Sequence, residues 1–204
     1  LVIAVINVAR KVIRVIHETK IIKVLADPVR REILRQLRHE PQTQTQLARK
    51  LNLTKPSMKH HLQLLHKTRL IRIARTKAES HGILQKYYEP TSSLFIEDFE
   101  TTPPHLQKYF LQFHLERLRG MLSVFQLIGK TRGESIKVTS DELKELAQEI
   151  ARQMSKVGKR YETTEATINR ETLLITIYSE ALKEVMIEDR WKDFFANIFD
   201  SIPA

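Results

Sequence analysis

The sequence predicts a mainly α-helical chain with one small β-hairpin, an α+β class, built in two parts of unlike surface. Three observations carry this. Apolar residues recur at three- and four-residue spacing along most of the 204 residues, as amphipathic helices require. Between about residues 71 and 89 the period switches to two, the period of a strand. Charge is uneven: residues 1–93 hold 19 Lys and Arg against 6 Asp and Glu, and residues 94–204 hold 15 against 18. The change of surface sets a boundary near residue 93. Residues 1–93 are expected to form one domain with an N-terminal extension, and residues 94–204 a second, helical one.

The first nine residues are apolar and uncharged, too few to span a bilayer. Arg10 and Lys11 follow that run, whereas a signal peptide carries its positive charge before it. The run reads as a strand or helix docked on the fold or on a second subunit, or as residues upstream of the true start. No membrane partner is expected. Residues 11–16, "KVIRVI", alternate as a strand does. Residues 18–26 form a short helix on Ile21, Ile22, Val24 and Leu25. Asp27 can cap the next helix, with Pro28 in its first turn, where the missing N–H costs nothing. Val29, Ile33, Leu34 and Leu37 form its buried stripe; Arg30, Arg31, Arg35 and Arg38 face out, and Pro41 ends it.

Residues 42–68 read as two helices around the tight break "NLT". The first carries Leu47, Ala48 and Leu51. The second, about 55–67, starts from Thr54 as cap, with Pro56 in its first turn. Met58, Leu62 and Leu65 face the core at i, i+4 and i+7. The opposite face shows Lys55, Ser57, Lys59, His60, Gln63 and Lys67. A hairpin follows, about 71–89, its strands joined across "TKAESHG" with Gly82 supplying backbone freedom near the tip. A helix-turn-helix followed by a basic hairpin is the order of a winged helix.

Between Glu40 and Glu79 the chain has no acidic side chain and nine Lys and Arg. Such a field points to a polyanionic partner, double-stranded DNA first. An α-helix fits the major groove, where Lys55 and Lys59 can reach phosphate or a guanine edge, Gln63 can pair with adenine, and Ser57 can donate to either. Thr54 at the cap is counted with them. His60 is expected to face DNA. His61 is expected to pack and bond the backbone, and adjacent histidines point apart on a helix, so no metal pair is expected. Arg75, Lys77 and His81 are the wing contacts.

Residues 24–76, with "DPVRREIL", "KPSMKHHLQLL" and, further on, "KYYEPT", resemble the ArsR-type winged-helix transcriptional regulators, archaeal members in particular. The resemblance covers about residues 11–93. It implies a homodimer on operator DNA, released in many members by an effector. It places Lys55, Ser57, Lys59, His60 and Gln63 on the recognition helix and Arg75, Lys77 and His81 on the wing. Metalloid-sensing members carry a cysteine pair on the helix that here reads "QTQLARKL". The chain has no cysteine, so soft-metal sensing is not inherited. Neither a disulfide framework nor a thiolate site can form, which fits a cytoplasmic protein.

The second half supplies helices. Residues 101–129 form one long helix that is apolar on several sides through Leu106, Phe110, Phe113, Leu118, Met121, Leu122 and Phe125. It is expected in a subunit interface. Ser140 can cap the next helix, whose Leu143, Ala147, Ile150, Met154, Val157 and Tyr161 make a heptad seam, either bundle core or dimer contact. Residues 171–179 are β-branched and read as a strand or as the opening of the last helix. That helix is amphipathic through Leu182, Val185, Met186, Phe194, Phe195, Ile198 and Phe199. This half is read as a dimerisation and effector-sensing region. Phe110, Phe113, Phe125, Trp191, Phe194 and Phe195 are core or the lining of an apolar effector pocket. His105 and His114, nine apart, do not align as metal ligands. With five glycines in all, there is no phosphate loop, and no nucleophile–base spacing stands out. Neither enzyme activity nor a cofactor is expected.

The expectation is a homodimeric DNA-binding regulator, to which an unidentified small-molecule effector is a possible further partner. Its rivals are a winged helix used only for protein–protein contact and a ligand-responsive repressor set by an apolar effector.

Overall fold

The computed structural model describes residues 11–78, 84–130, 138–163 and 169–200. Two compact units divide the chain: the first runs through Phe95 and takes in the segment from Glu162, and the second holds Ile96–Tyr161 and resumes at Asn169.

The first unit contains β1 (Lys11–Ile16), α1 (Thr19–Leu25), α2 (Pro28–Leu37), β2 (Gln42–Thr43), α3 (Gln44–Lys50), α4 (Lys55–Lys67), β3 (Ile71–Ala78) and β4 (Leu84–Pro90); β5 (Ser92–Glu97) begins within it. β1 pairs with β5, and a second sheet has the order β2–β4–β3. The apolar i, i+3/i+4 stripes of the helices meet in one core of Ile21, Ile22, Ile33, Leu34, Leu37, Leu47, Met58, Leu62 and Leu65, all buried.

α2 starts where its sequence says. The Asp27 carboxylate accepts from the Arg30 backbone N–H at 2.9 Å, and Pro28 occupies the first turn. Val29 is only half-buried. The outward reading of Arg30 and Arg31 is corrected. Arg30 Nε donates to the Val24 carbonyl at 2.6 Å, and Arg31 Nη1 donates to those of Leu25 and Ala26 at 3.4 and 3.3 Å. Those carbonyls end α1 and lack helical partners, so the two guanidinium groups close it and favour its negative end.

The run 42–68 begins with a strand that periodicity did not signal. Gln42 and Thr43 pair with Tyr88 and Tyr87. Thr43 also caps α3 in a reciprocal box, its hydroxyl accepting from the Gln46 N–H while Gln46 Oε1 accepts from the Thr43 N–H. Two residues are too few to show a period. In the β3–β4 pair, Ile73 faces Tyr88 but Arg75 faces Tyr87. Ala74 is therefore an extra residue, a bulge that shifts the simple alternation by one. The tip with His81 and Gly82, and the apolar residues 1–9, lie outside the described residues.

The second unit carries α5 (Pro104–Lys130), α6 (Ser140–Arg160), α7 (Arg170–Met186) and α8 (Asp189–Asp200). α6 packs against both α5 and α7. Its seam, Leu143, Ala147, Ile150, Met154 and Val157, is buried within the unit, so those residues are bundle core. Thr139, rather than Ser140, caps α6: its hydroxyl accepts from the Glu142 N–H, and Glu142 returns a bond to the Thr139 N–H. Residues 171–179 are helical. Leu173, Leu174 and Ile177 bury at helical spacing and override their β-branched neighbours. The last apolar run is interrupted at Ile187, after which Trp191, Phe195 and Ile198 bury as a new i, i+4, i+7 stripe of α8. α5 does not bury on all sides. Leu106, Phe110, Leu111, Leu118 and Leu122 are covered, while Phe113 is exposed. Among the described residues no helix is long and apolar enough to cross a membrane.

Candidate nucleic-acid interface

α4 is fixed at both ends and on one side. Met58, Leu62 and Leu65 anchor it in the core. The Thr54 hydroxyl accepts from the Ser57 N–H at 3.3 Å, and Gln44 Nε2 donates to the Lys55 carbonyl at 2.8 Å, tying the first turns of α3 and α4 together. The connecting turn closes as a Schellman motif. Leu53 N–H bonds the Ala48 carbonyl at 2.8 Å and Asn52 N–H that of Arg49 at 3.3 Å, with Asn52 left-handed at φ 51°. The same motif ends α4, where Leu70 N–H reaches the Leu65 carbonyl and Arg69 N–H that of His66, with Arg69 at φ 54°. Arginine is a poor choice for that conformation. Its carbonyl is held in place by the Thr91 hydroxyl at 2.8 Å and Arg14 Nη1 at 2.9 Å. Thus α4 is set rigidly between its flanking turns.

The solvent face of α4 presents Lys55, Lys59, His60, Gln63 and Lys67, all exposed, with Thr54 exposed at the cap and Ser57 half-buried beside it. On the strands Arg75 and Lys77 are exposed. The Arg75 guanidinium lies 4.5 Å from the centre of the Tyr87 ring, its cross-strand neighbour, a cation–π contact that stiffens a long side chain. Sequence reasoning missed Tyr87 in that supporting role, and also Lys86, which is exposed on β4. A basic residue alternating out of a strand was the available signal for Lys86. Arg72 pairs instead with Glu89 directly opposite, at 2.7 Å, so its charge is compensated within the sheet. His81 lies outside the described residues.

The two histidines divide as their positions suggest, with one correction. His60 is exposed, its ring meeting that of His61 edge-on at 5.9 Å. His61 is half-buried, but its Nδ1 finds no hydrogen-bond partner among the described residues, so the expected backbone bond is not made. Desolvation lowers its pKa, opposed by the nearby Asp27, which favours the neutral ring.

In the second unit Phe110, Trp191 and Phe195 are buried core, Phe125 and Phe194 half-buried. His105 is exposed and His114 buried. The His114 ring stacks on Tyr178 at 6.1 Å, and the Arg117 guanidinium sits 4.3 Å from the Phe113 ring and 5.3 Å from that of Tyr178. Burial, then the Arg117 charge, pushes the His114 pKa down to about 4; burial pushes Tyr178 up to about 12. His114 Nδ1 and the Tyr178 hydroxyl are both buried without hydrogen-bond partners among the described residues. No group of three or more His, Asp or Glu gathers among the described residues as metal ligands do.

Residues 25–74, from the end of α1 into β3, match the family model of a helix-turn-helix domain. No curated protein matches the chain. The chain therefore carries a helix-turn-helix domain, which points to a DNA-binding regulator.

Proposed function

We propose that the chain is a sequence-specific transcriptional regulator that binds double-stranded DNA as a homodimer, with α4 in the major groove and the β3–β4 pair as a wing on the flanking backbone. The observation that carries this is the two-sided character of α4. Its inner face is wholly apolar, and its outer face offers Lys55, Lys59, His60 and Gln63 from a stretch without one acidic side chain. The cations suit phosphates, which position a module but do not read sequence; Gln63 and Ser57 have the donors and acceptors that read base edges. Arg75, Lys77 and Lys86 supply the wing's charge. Rigid placement of α4 by two Schellman turns is what a reader of fixed groove geometry needs.

The same reading makes this an ArsR-like protein of the cytoplasm that is not an enzyme, with an apolar effector, if any, received by the helical second unit. Without thiolates, arsenite has no soft-ligand route to releasing it. The experiment is selection of bound fragments from mixed genomic DNA. The reading expects enrichment of an inverted repeat whose half-sites lie about 34 Å apart, one helical turn. A chain that enriches no sequence and captures only proteins is a protein–protein module instead.

A further inference from the structure

Where α5 meets α7, two buried polar groups go unanswered. His114 on α5 is 4% exposed. Its ring stacks on that of Tyr178 on α7 at 6.1 Å, with 20° between the planes. His114 Nδ1 and the Tyr178 hydroxyl both lack hydrogen-bond partners among the described residues. A buried polar group without a partner is destabilising, and an apolar side chain of similar size would avoid that loss at either position. Arg117 lies one turn on from His114, on the same side of α5. Its guanidinium is held between two rings, 4.3 Å from that of Phe113 and 5.3 Å from that of Tyr178. Its charge bears on both His114 and Tyr178, and no carboxylate answers it among the described residues. The adjacent Glu116 is exposed and accepts from Gln112 instead. A half-buried guanidinium, a phenol O–H and an imidazole Nδ1 thus share one seam, with one positive charge left uncompensated.

We propose that this seam binds a small organic monoanion, a carboxylate carried on a flat apolar body. Arg117 supplies the opposite charge and N–H donors to the carboxylate, and the Tyr178 hydroxyl donates to it. His114 donates from Nδ1 in the tautomer that carries its proton there. Burial keeps that ring neutral above a pKa of about 4, so Arg117 alone balances the ligand. One cation matches a carboxylate and not a phosphate, which carries nearly two charges at neutral pH. Phe113, 44% exposed at the rim, offers an apolar ring to the body of the ligand. The site needs neither DNA nor a second subunit, and so goes beyond the reading above. It gives the second unit a ligand with a charged head in place of a wholly apolar one.

The test uses the full chain without DNA, with benzoate as the probe. Titration calorimetry should show saturable, stoichiometric binding. Acetate lacks the body, benzyl alcohol the carboxylate and inorganic phosphate the single charge; each should bind roughly tenfold more weakly or worse. Tyr178→Phe keeps the ring stack and removes the unanswered hydroxyl. It should weaken benzoate roughly tenfold while the denaturant midpoint of the ligand-free chain holds or rises. A hydroxyl with only a structural role would lower that midpoint and leave the affinity alone. Arg117→Gln should weaken benzoate further with helix content intact, and Lys192→Gln, which removes an exposed cation of α8, should change nothing. Absence of saturable benzoate binding, equal binding of benzyl alcohol or phosphate, or an affinity that Tyr178→Phe and Arg117→Gln both leave unchanged overturns the site. A chain that binds benzoate in this way but ignores DNA keeps the site and loses only the DNA reading.

Discussion

In the first unit polar side chains hold the backbone. Asp27, Thr43 and Thr54 cap helices, Arg30 and Arg31 close the end of α1, and Arg72 is matched by Glu89. What remains outside is a field of cations on α4 and the strands. In the second unit the exposed surface is apolar instead. Tyr109, Phe113, Val124, Leu127 and Ile175 are exposed, while His114 Nδ1 and the Tyr178 hydroxyl are buried without partners. The first unit shows a basic surface, and among the described residues it too leaves Gln42 Oε1, His61 Nδ1 and Ser92 Oγ buried without partners. The second unit differs in its surface, which is apolar along α5 and at Ile175.

The largest way to break this contrast is to charge the core of the second unit. Ile150 is fully buried on α6, and an isolated carboxylate there costs several kcal/mol. Ile150→Asp should unfold the α5–α8 helices while protease-resistant α2–α4 persist, seen by limited proteolysis and loss of helical circular dichroism. Persistence of both units would show that α6 is not core.

Acid should act on the same unit. The folded His114 pKa of about 4 lies below the ordinary 6.5, so the unfolded chain takes the proton first. Stability is then complete above pH 6.5 and falls as pH drops from 6.5 towards 4, by about 3 kcal/mol at 1.36 kcal/mol per unit. Denaturant midpoints across that window should show the loss, and His114→Phe should remove this share of it. An unchanged pH slope in that variant would mean the buried ring is not the cause.

Sharpening the first unit needs two substitutions on one helix face. Gln63→Ala should cost roughly 1–3 kcal/mol on the best DNA site and little elsewhere, if that amide reads a base. Lys59→Ala should weaken all sequences alike and lower the salt slope by about 1. Identical behaviour of the two would erase the division between reading and positioning.

The smallest effect concerns the turn after α4. Arg69 is left-handed, and Arg69→Gly should raise stability by roughly 0.5–1 kcal/mol, read as a higher denaturant midpoint. A lower midpoint would mean that the arginine side chain contributes more than its backbone costs.

Local signals made much of this legible. Asp27–Pro28 and Thr54–Lys55–Pro56 announce α2 and α4, because caps and proline act within one turn. The outward set on α4 follows from the apolar spacing of Met58, Leu62 and Leu65. What was hidden depends on distant partners. β2 is two residues whose identity comes from pairing with Tyr87 and Tyr88. The bulge at Ala74 moved Arg75 opposite Tyr87, and no composition reveals it. Arg30 looked like any solvent-facing arginine because the carbonyls it bonds belong to the preceding helix. Periodicity on α6 named the buried face of Ile150 but not what covers it. The break at Ile187 has neither glycine nor proline to mark it; it arises because Trp191 and Phe195 bury in a new phase.

The central claim is that the cations of the first unit engage DNA phosphates, and a salt titration tests it most directly. Each neutralised phosphate contributes roughly −0.9 to the slope of log affinity against log salt. With about four to eight phosphate contacts per dimer, a polarisation titration on duplex DNA should give a slope on the order of −4 to −7. A slope near zero would contradict the account.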